Sequence, residues 1–137
     1  MSGVVVDASV TLAWCFPDEG SEYADRVLAA LKGQTLVVPA VWALEIANAL
    51  LIGERRKRLK RPEILRFIAL LEGLSIFQDS QSARENLTHV LPLARDYGLS
   101  AYDAAYLELA IRQTVPLATL DRDLQKAARR AGIRVVP

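Results

Sequence analysis

Short apolar segments alternate with helical patterns along the chain, and this alternation restricts the fold more than any other feature. The first segment, VVVDASV (residues 4–10), places three valines side by side, as in a strand buried on both faces. Further strands are predicted at residues 35–38, 74–77, 116–119 and 133–136. Strands that are separated by helices pair in parallel, so the sequence predicts a three-layer α/β/α sandwich around a central parallel sheet.

Helical spacing of apolar residues fills the intervals between these strands. The predicted helices span residues 21–33, 40–56, 61–73, 82–98, 100–113 and 121–132. Ser82 and Glu85 form a capping-box pattern, and Pro92 is expected to kink the helix that follows. The residues directly after Asp7 are predicted to form a short apolar turn. No repeat, low-complexity tract or long linker interrupts the pattern, so we expect a single domain over residues 1–137.

Composition excludes several classes of protein. A hydrophobic fraction of 52% with 24% charged residues is typical of a folded globular domain, and the net charge of +1 gives no overall field for nucleic acid or membrane. The single cysteine excludes an intramolecular disulfide and favours a reducing compartment. No uncharged stretch approaches the roughly 18 residues that a membrane span needs. We therefore expect a cytoplasmic protein that has no membrane partner.

Four acidic residues map to one edge of the predicted sheet. Asp7 ends the first strand, Glu45 lies early in the helix after the second, Asp103 opens a later helix, and Asp121 follows the strand at 116–119. Ligand sites of open parallel sheets form beyond the carboxyl ends of the strands. The four carboxylates are therefore candidates for one site.

Three of these acids also have a structural interpretation. Asp7 could cap the turn after the first strand, Asp103 could complete a capping box that begins at Ser100, and Asp121 could cap the last helix. Glu45 has no comparable role, because it lies within a helix that is apolar nearly all round.

Four converging acids would repel one another unless a cation bound between them. One histidine and one cysteine are too few for a nitrogen or sulfur site. The sequence therefore predicts a hard divalent ion on oxygen ligands, Mg²⁺ or Mn²⁺.

The segments VVVDASV, PAVWALEIANAL, GLSAYDAAYLELA and PLATLDRDL together resemble the PIN domain, specifically the VapC toxins of bacterial VapBC toxin–antitoxin pairs. The resemblance spans nearly the whole chain, and the ordered set of motifs is specific where each single motif is not. It implies an endoribonuclease that depends on Mg²⁺ or Mn²⁺, with an acidic quartet formed by Asp7, Glu45, Asp103 and Asp121. Asp7, Asp103 and Asp121 would bind the metal, and Glu45 would act through water.

Other residues are assigned by the same resemblance. Ser9, Asn48 and Thr119 fall where the family often has polar supporting residues. The segment TLDRD offers both Asp121 and Asp123 as the fourth acid; the T-x-D pattern favours Asp121, which leaves Asp123 as a reserve or outer ligand.

The resemblance also implies partners. A VapB-like antitoxin is expected to bind along the apolar helices around residues 21–31 and 40–52 and to place a basic side chain among the acids. A homodimer through apolar helix surface is expected as well. A PIN-type RNA-processing nuclease outside a toxin–antitoxin pair remains the alternative.

A basic segment, GERRKRLKR at residues 53–61, follows the Glu45 helix. Its cations could simply complement the helix dipole at a solvated helix end. The functional interpretation is a surface that binds RNA phosphates through Arg55, Arg56, Lys57 and Arg58. Basic residues of the last helix would extend this surface: Arg122, Lys126, Arg129 and Arg130.

Two other classes of acidic site were compared with the sequence. A non-catalytic, receiver-like Mg²⁺-binding signalling module needs adjacent acids near the first strand and a lysine after a late strand. A phosphatase with an aspartyl nucleophile needs a second acid two residues beyond Asp7, where Ser9 stands. Because neither VVVDASV nor PLATLD supplies these residues, both are disfavoured.

Overall fold

The computed structural model describes residues 3–16 and 21–137, which contain a four-stranded sheet and seven helices. The strands are β1 (Gly3–Val6), β2 (Thr35–Val38), β3 (Ile76–Gln78) and β4 (Leu117–Ala118). The helices are α1 (Ala8–Ala13), α2 (Glu22–Ala30), α3 (Val41–Arg55), α4 (Arg61–Glu72), α5 (Ala83–Tyr97), α6 (Ala101–Gln113) and α7 (Arg122–Arg130). The helices flank the sheet, so the predicted three-layer α/β/α fold is confirmed.

Strand β1 lies inside the sheet, whose order is β3-β2-β1-β4 and whose neighbours are all parallel. Val5 pairs with Val37 of β2 on one side and with Leu117 of β4 on the other. Val5 and Val6 are fully buried, as the run of valines predicts. The chain leaves β1 towards β2 and reaches β4 only much later, which creates a topological switch point between β1 and β4.

The last predicted strand is wrong. Residues 133–136 contribute only an isolated bridge, in which Val135 pairs with Leu117. The N–H of Leu117 donates to the Arg134 carbonyl at 2.9 Å, and the N–H of Val136 donates to the Leu117 carbonyl at 2.9 Å. Since β4 has only two residues, it offers too short an edge for a regular ladder.

The predicted turn after Asp7 is also wrong, because these residues form the short helix α1. Asp7 is its N-cap and accepts a hydrogen bond from the Val10 N–H at 3.2 Å. Six residues that include β-branched Val10 and Thr11 give a weak helical signal in sequence. Helix α5 begins with the predicted Ser82–Glu85 capping box and continues through Pro92 without a break.

The core is built from both sheet and helices. Helix α6 contributes Tyr106, Leu107 and Leu109, each at most 1% exposed, and packs against β1 and β4. The amino-terminal turn of this helix is thereby held at the carboxyl edge of the sheet. Among the helices of residues 3–16 and 21–137, none is both long and apolar enough to span a bilayer.

Candidate active site

Asp7 lies at the carboxyl end of β1 and is only 4% exposed. Its Oδ1 accepts hydrogen bonds from the Ser9 hydroxyl at 2.6 Å and from the Val10 N–H. Its Oδ2 accepts one from the hydroxyl of Thr119, which directly follows β4. This last bond crosses the switch point between β1 and β4. Asp7 therefore both caps α1 and occupies the position in this fold where ligand sites form.

Burial raises the pKa of Asp7 to about 6, because desolvation penalises the charged form. The hydrogen bonds from Ser9, Thr119 and Val10 lower this pKa, and the charge of Asp103 raises it further. All three hydrogen-bond donors are neutral, so they stabilise the carboxylate without cancelling its charge.

Glu45 lies in the second turn of α3 and is half-buried. The hydroxyl of Tyr106 donates a hydrogen bond of 2.6 Å to its Oε1. Burial raises the pKa of Glu45, the bond from Tyr106 lowers it, and the charge of Asp103 raises it. Glu45 thus belongs to the same electrostatic group as Asp103, although it projects from another helix.

Asp103 connects the acids electrostatically. It lies in the first turn of α6, where its N–H donates to the Ser100 hydroxyl at 3.1 Å. Burial raises the pKa of Asp103, the charges of Asp121 and Asp123 raise it further, and a hydrogen bond with Ser100 opposes them. Because Asp103 also raises the pKa of Asp7 and of Glu45, it lies within electrostatic range of each of the other predicted acids.

Asp121 caps α7, as one of its two interpretations predicts. Its Oδ1 accepts from the N–H groups of Asp123 at 2.8 Å and Leu124 at 3.1 Å. Its own N–H donates to the Thr119 hydroxyl at 3.0 Å, and that same hydroxyl donates to Asp7. Thr119 therefore joins Asp121 to Asp7 directly, whereas the side chain of Asp123 is exposed.

The supporting residues differ in their contacts. Ser9 and Thr119 both donate to Asp7, and Ser9 also accepts from the Leu120 N–H at 3.1 Å. Asn48 is exposed on α3, one turn beyond Glu45. Within residues 3–16 and 21–137, no hydrogen bond joins Asn48 to one of the acids.

The basic segment lies at the far end of α3. Arg55 closes this helix ten residues after Glu45, which corresponds to about 15 Å of helical rise. Lys57 has a left-handed backbone with φ of 60°, and the Arg58 guanidinium lies 4.5 Å from the centre of the Phe16 ring. On α7, a hollow of about 300 Å³ is lined partly by Tyr97, Asp123, Lys126 and Arg130.

The acids have no cationic partner in the part of the chain that the structure describes: none of its ion pairs includes one of them. In the same part, no three Asp, Glu, His or Cys side chains stand together as a ready-made metal shell. The donors that do approach one another are carboxylate and hydroxyl oxygens, which suit a hard divalent cation. Their chemistry therefore fits Mg²⁺ or Mn²⁺.

Sequence analysis missed two features of this region. Tyr106 resembles an ordinary core aromatic in the segment YDAAYLEL, although it lies one turn after Asp103 and so on the same side of α6. The second feature is a polar cluster further along α6, where Arg112 bonds Glu108 at 2.8 Å and Asp79 at 2.7 Å. Gln81 donates to both carboxylate oxygens of Glu108, at 2.8 and 3.0 Å. Only the spacing of Glu108 and Arg112 could have indicated this cluster.

Comparison with known proteins identifies a family and a fold. The family model described as PIN domain matches residues 4–130. Ribonuclease VapC3 of Pyrobaculum aerophilum is 36% identical over 121 residues, which cover 88% of this chain and 91% of that protein. The crystal structure of PAE2754 from Pyrobaculum aerophilum has a TM-score of 0.67 and 26% identity, covering 92% of this chain and 79% of the other. FitAcB from Neisseria gonorrhoeae shares the fold, with a TM-score of 0.64 and 16% identity over 98% of this chain and 96% of its own.

Proposed function

The chain belongs to the PIN-domain family, and we propose that it is a Mg²⁺- or Mn²⁺-dependent endoribonuclease that serves as the toxin of a toxin–antitoxin pair. The observation that carries the proposal is the buried Asp7 carboxylate, which is coupled through Asp103 to further acids and held by neutral donors alone. The identity of 36% with a protein named Ribonuclease VapC3 supports RNA as the substrate.

Asp7, Asp103 and Asp121 would hold the cation, with Asp123 in reserve. When bound, a divalent cation would lower the pKa of an attacking water and stabilise charge on the phosphoryl oxygens. The chain's own contribution is orientation. Ser9 and Thr119 each bind a different oxygen of Asp7, so the carboxylate is fixed about its Cβ–Cγ bond.

Glu45 would orient the attacking water and accept its proton. Burial raises the pKa of this carboxyl, which brings it closer to the range where a general base works at neutral pH. The hydrogen bond from Tyr106 engages Oε1 and leaves Oε2 for this role.

The RNA strand would be held by basic residues on either side of the acids. The basic segment at Arg55–Arg58 lies about 15 Å from Glu45 along α3, a distance that requires a bound strand of several nucleotides. The hollow beside Asp123 is closer to the acids, and Lys126 and Arg130 line it. Both surfaces suit contacts to the phosphate backbone, which supplies most of the sequence-independent affinity.

A triple variant tests the basic segment: Arg55→Ala, Arg56→Ala and Lys57→Gly. Arg58 is kept because it packs on Phe16, and glycine suits the left-handed backbone of residue 57. RNA affinity should fall. The slope of log K against the logarithm of salt concentration should also become shallower, by about one for each lost phosphate contact. The control removes the same charge from scattered exposed positions, Arg66, Arg84 and Arg95. Equal losses of RNA affinity in the two variants would show that the segment is only a solvated helix end.

Two apolar surfaces support the proposed protein partners. Leu44, Leu87 and Tyr102 are each more than 60% exposed around a hollow of about 450 Å³ between α3, α5 and α6, which suits a homodimer. A second hollow, of about 570 Å³, lies between α2 and α4 and is lined by Leu28 and Leu70 among others, which suits the antitoxin. Sedimentation of a monomer at high concentration would contradict the dimer.

The nuclease proposal is tested with purified protein, single-stranded RNA and Mn²⁺, with and without a chelator. We expect internal cleavage that the chelator abolishes. Absence of cleavage at every metal concentration would contradict the proposal. A toxin is distinguished from an RNA-processing nuclease by whether a small protein encoded beside its gene binds it and inhibits cleavage.

A further inference from the structure

Tyr106 makes a contact that its place in the core does not require. Its side chain is 1% exposed on α6, yet its hydroxyl reaches α3 and donates to Glu45 Oε1 at 2.6 Å. A phenylalanine would fill the same volume, and a buried hydroxyl needs only some acceptor. Here the acceptor is the one acid of the site that lies inside an apolar helix.

The surroundings of the phenol favour its role as a donor. Burial, the hydrogen bond to Glu45 and the charge of Asp7 all raise the pKa of Tyr106, so the hydroxyl keeps its proton at any ordinary pH. The phenol is rigid, since its ring is packed in the core. It also lies on the helix that carries Asp103. The hydrogen bond from Tyr106 therefore fixes Glu45, which lies on α3, relative to Asp103, which lies on α6.

We propose that Tyr106 is a positioning residue that holds the Glu45 carboxylate in its working orientation beside Asp103. The inference rests on the proposed nuclease function. The phenol donates to Glu45 Oε1, and this hydrogen bond sets the direction in which Oε2 points. Without the hydroxyl, Glu45 would regain rotational freedom and would lack a strong donor in a partly desolvated position. Because Tyr106 is buried, it acts through Glu45 and not on RNA.

The variant Tyr106→Phe tests the role, with Tyr23→Phe as its matched control. Tyr23 also donates through its phenol, to the Val136 carbonyl at 2.8 Å. Burial and the charge of Asp7 raise the pKa of Tyr23 and a contact with the Thr119 backbone lowers it, but among the described residues it is Tyr106, not Tyr23, that donates to Glu45. Tyr106→Phe should lower kcat about 10- to 100-fold. It should leave KM for RNA within about twofold, because no RNA contact is removed. Tyr23→Phe should lower kcat less than Tyr106→Phe does, and its effect should persist in a Glu45→Gln background, because Tyr23 donates to Val136 and not to Glu45. In a Glu45→Gln background, Tyr106→Phe should cause no further loss of kcat, because residues that act as a unit are not additive.

A second readout does not depend on activity. In urea unfolding of metal-free protein, the midpoint shifts of Tyr106→Phe and Glu45→Gln should fail to add in the double variant. The shifts of Tyr23→Phe and Glu45→Gln should add. Should Tyr106→Phe not fold, Glu45→Asp breaks the same bond by withdrawing the carboxylate. It should lower kcat with KM unchanged, and an unchanged kcat would overturn the inference.

The outcomes separate the two proposals. Wild-type kcat in Tyr106→Phe, or an equal loss of kcat in the presence and absence of Glu45, overturns the positioning role while the nuclease stands. If wild-type protein cleaves no RNA, the nuclease proposal fails, and additive unfolding shifts of Tyr106 and Glu45 would then overturn their coupling as well.

Discussion

Two groups of acids lie along helix α6, and among the residues that the structure describes only one of the two groups contains a cation. The site group (Asp7, Glu45, Asp103 and Asp121) gathers around its first turn and receives hydrogen bonds from hydroxyl and backbone N–H groups alone. The Arg112 group (Asp79, Gln81, Glu108 and Arg112) lies at its other end and is closed by a guanidinium. Glu108 is 9% exposed and Asp7 is 4% exposed, so burial does not distinguish them.

The difference lies in where the compensating charge comes from. Arg112 bonds both Asp79 and Glu108, and these bonds raise the pKa of its guanidinium. Each carboxylate of the Arg112 group therefore has a cationic partner within the chain, although one guanidinium serves both. In the site group, burial and mutual repulsion raise the pKa of Asp7, Glu45 and Asp103. A group that remains repulsive in the folded protein is suited to accept a positive charge from outside.

The largest expected effect separates the groups by activity. Asp7→Asn should lower RNA cleavage about 1,000-fold, because it removes a charged ligand while preserving the shape of the side chain. Mn²⁺ should then raise the melting temperature of the wild type more than that of the variant. The matched change Asp79→Asn, in the Arg112 group, should leave cleavage intact. Full activity of Asp7→Asn would show that Asp7 only caps α1, since asparagine is nearly as good a helix cap.

The second effect concerns pH. The pKa of Asp7 is about 6 in the folded protein and 3.8 as an ordinary value, so its protonated form is favoured by folding. Stability from this group is complete below about pH 4 and is lost as the pH rises through 6, by about 3 kcal/mol in total. Urea unfolding in chelator from pH 4 to 7.5 should show this decline in wild type and a smaller one in Asp7→Asn. The same dependence of stability on pH in both proteins would contradict the assignment of this decline to Asp7.

The third effect is on stability alone. Arg112→Met should destabilise the protein by about 2 kcal/mol, because Glu108 would remain buried without its cationic partner. The cost stays below that of breaking a fully buried pair, because Gln81 still donates to Glu108 and a third of Arg112 is exposed. Activity per folded molecule should not change. Arg61→Met is the control: its ion pair with Glu54 is exposed, and its removal should cost less than about 0.5 kcal/mol. Equal costs would show that the Arg112 group is no more than a surface pair.

Much of this arrangement could be predicted from sequence, because it follows from local patterns. Runs such as VVV and TLVV indicate buried strands, and their order with the helices fixes a parallel sheet. Glu45 is conspicuous because it interrupts an apolar helix, and Asp7 because it ends a buried strand.

The rest depends on distances between segments that are far apart in the chain. The bond between Tyr106 and Glu45 joins residues 61 positions apart, and Arg112 meets Asp79 across 33. Residues 133–136 have strand composition, but a two-residue β4 cannot extend a ladder to them. Nor can sequence alone tell how far Arg55 lies from Glu45, since that requires the direction and length of α3.

The bond between Thr119 and Asp7 has a consequence for the order of events during synthesis. It joins residues 112 positions apart, and Asp121 is tied to the same hydroxyl. Contacts of such long sequence separation form late, after the intervening chain has been ordered. A growing chain emerges from its amino terminus, so Asp7 must wait until residues 119–121 have been made before these partners exist. A chain that stops before Thr119 would therefore lack the hydrogen bond that orients Asp7.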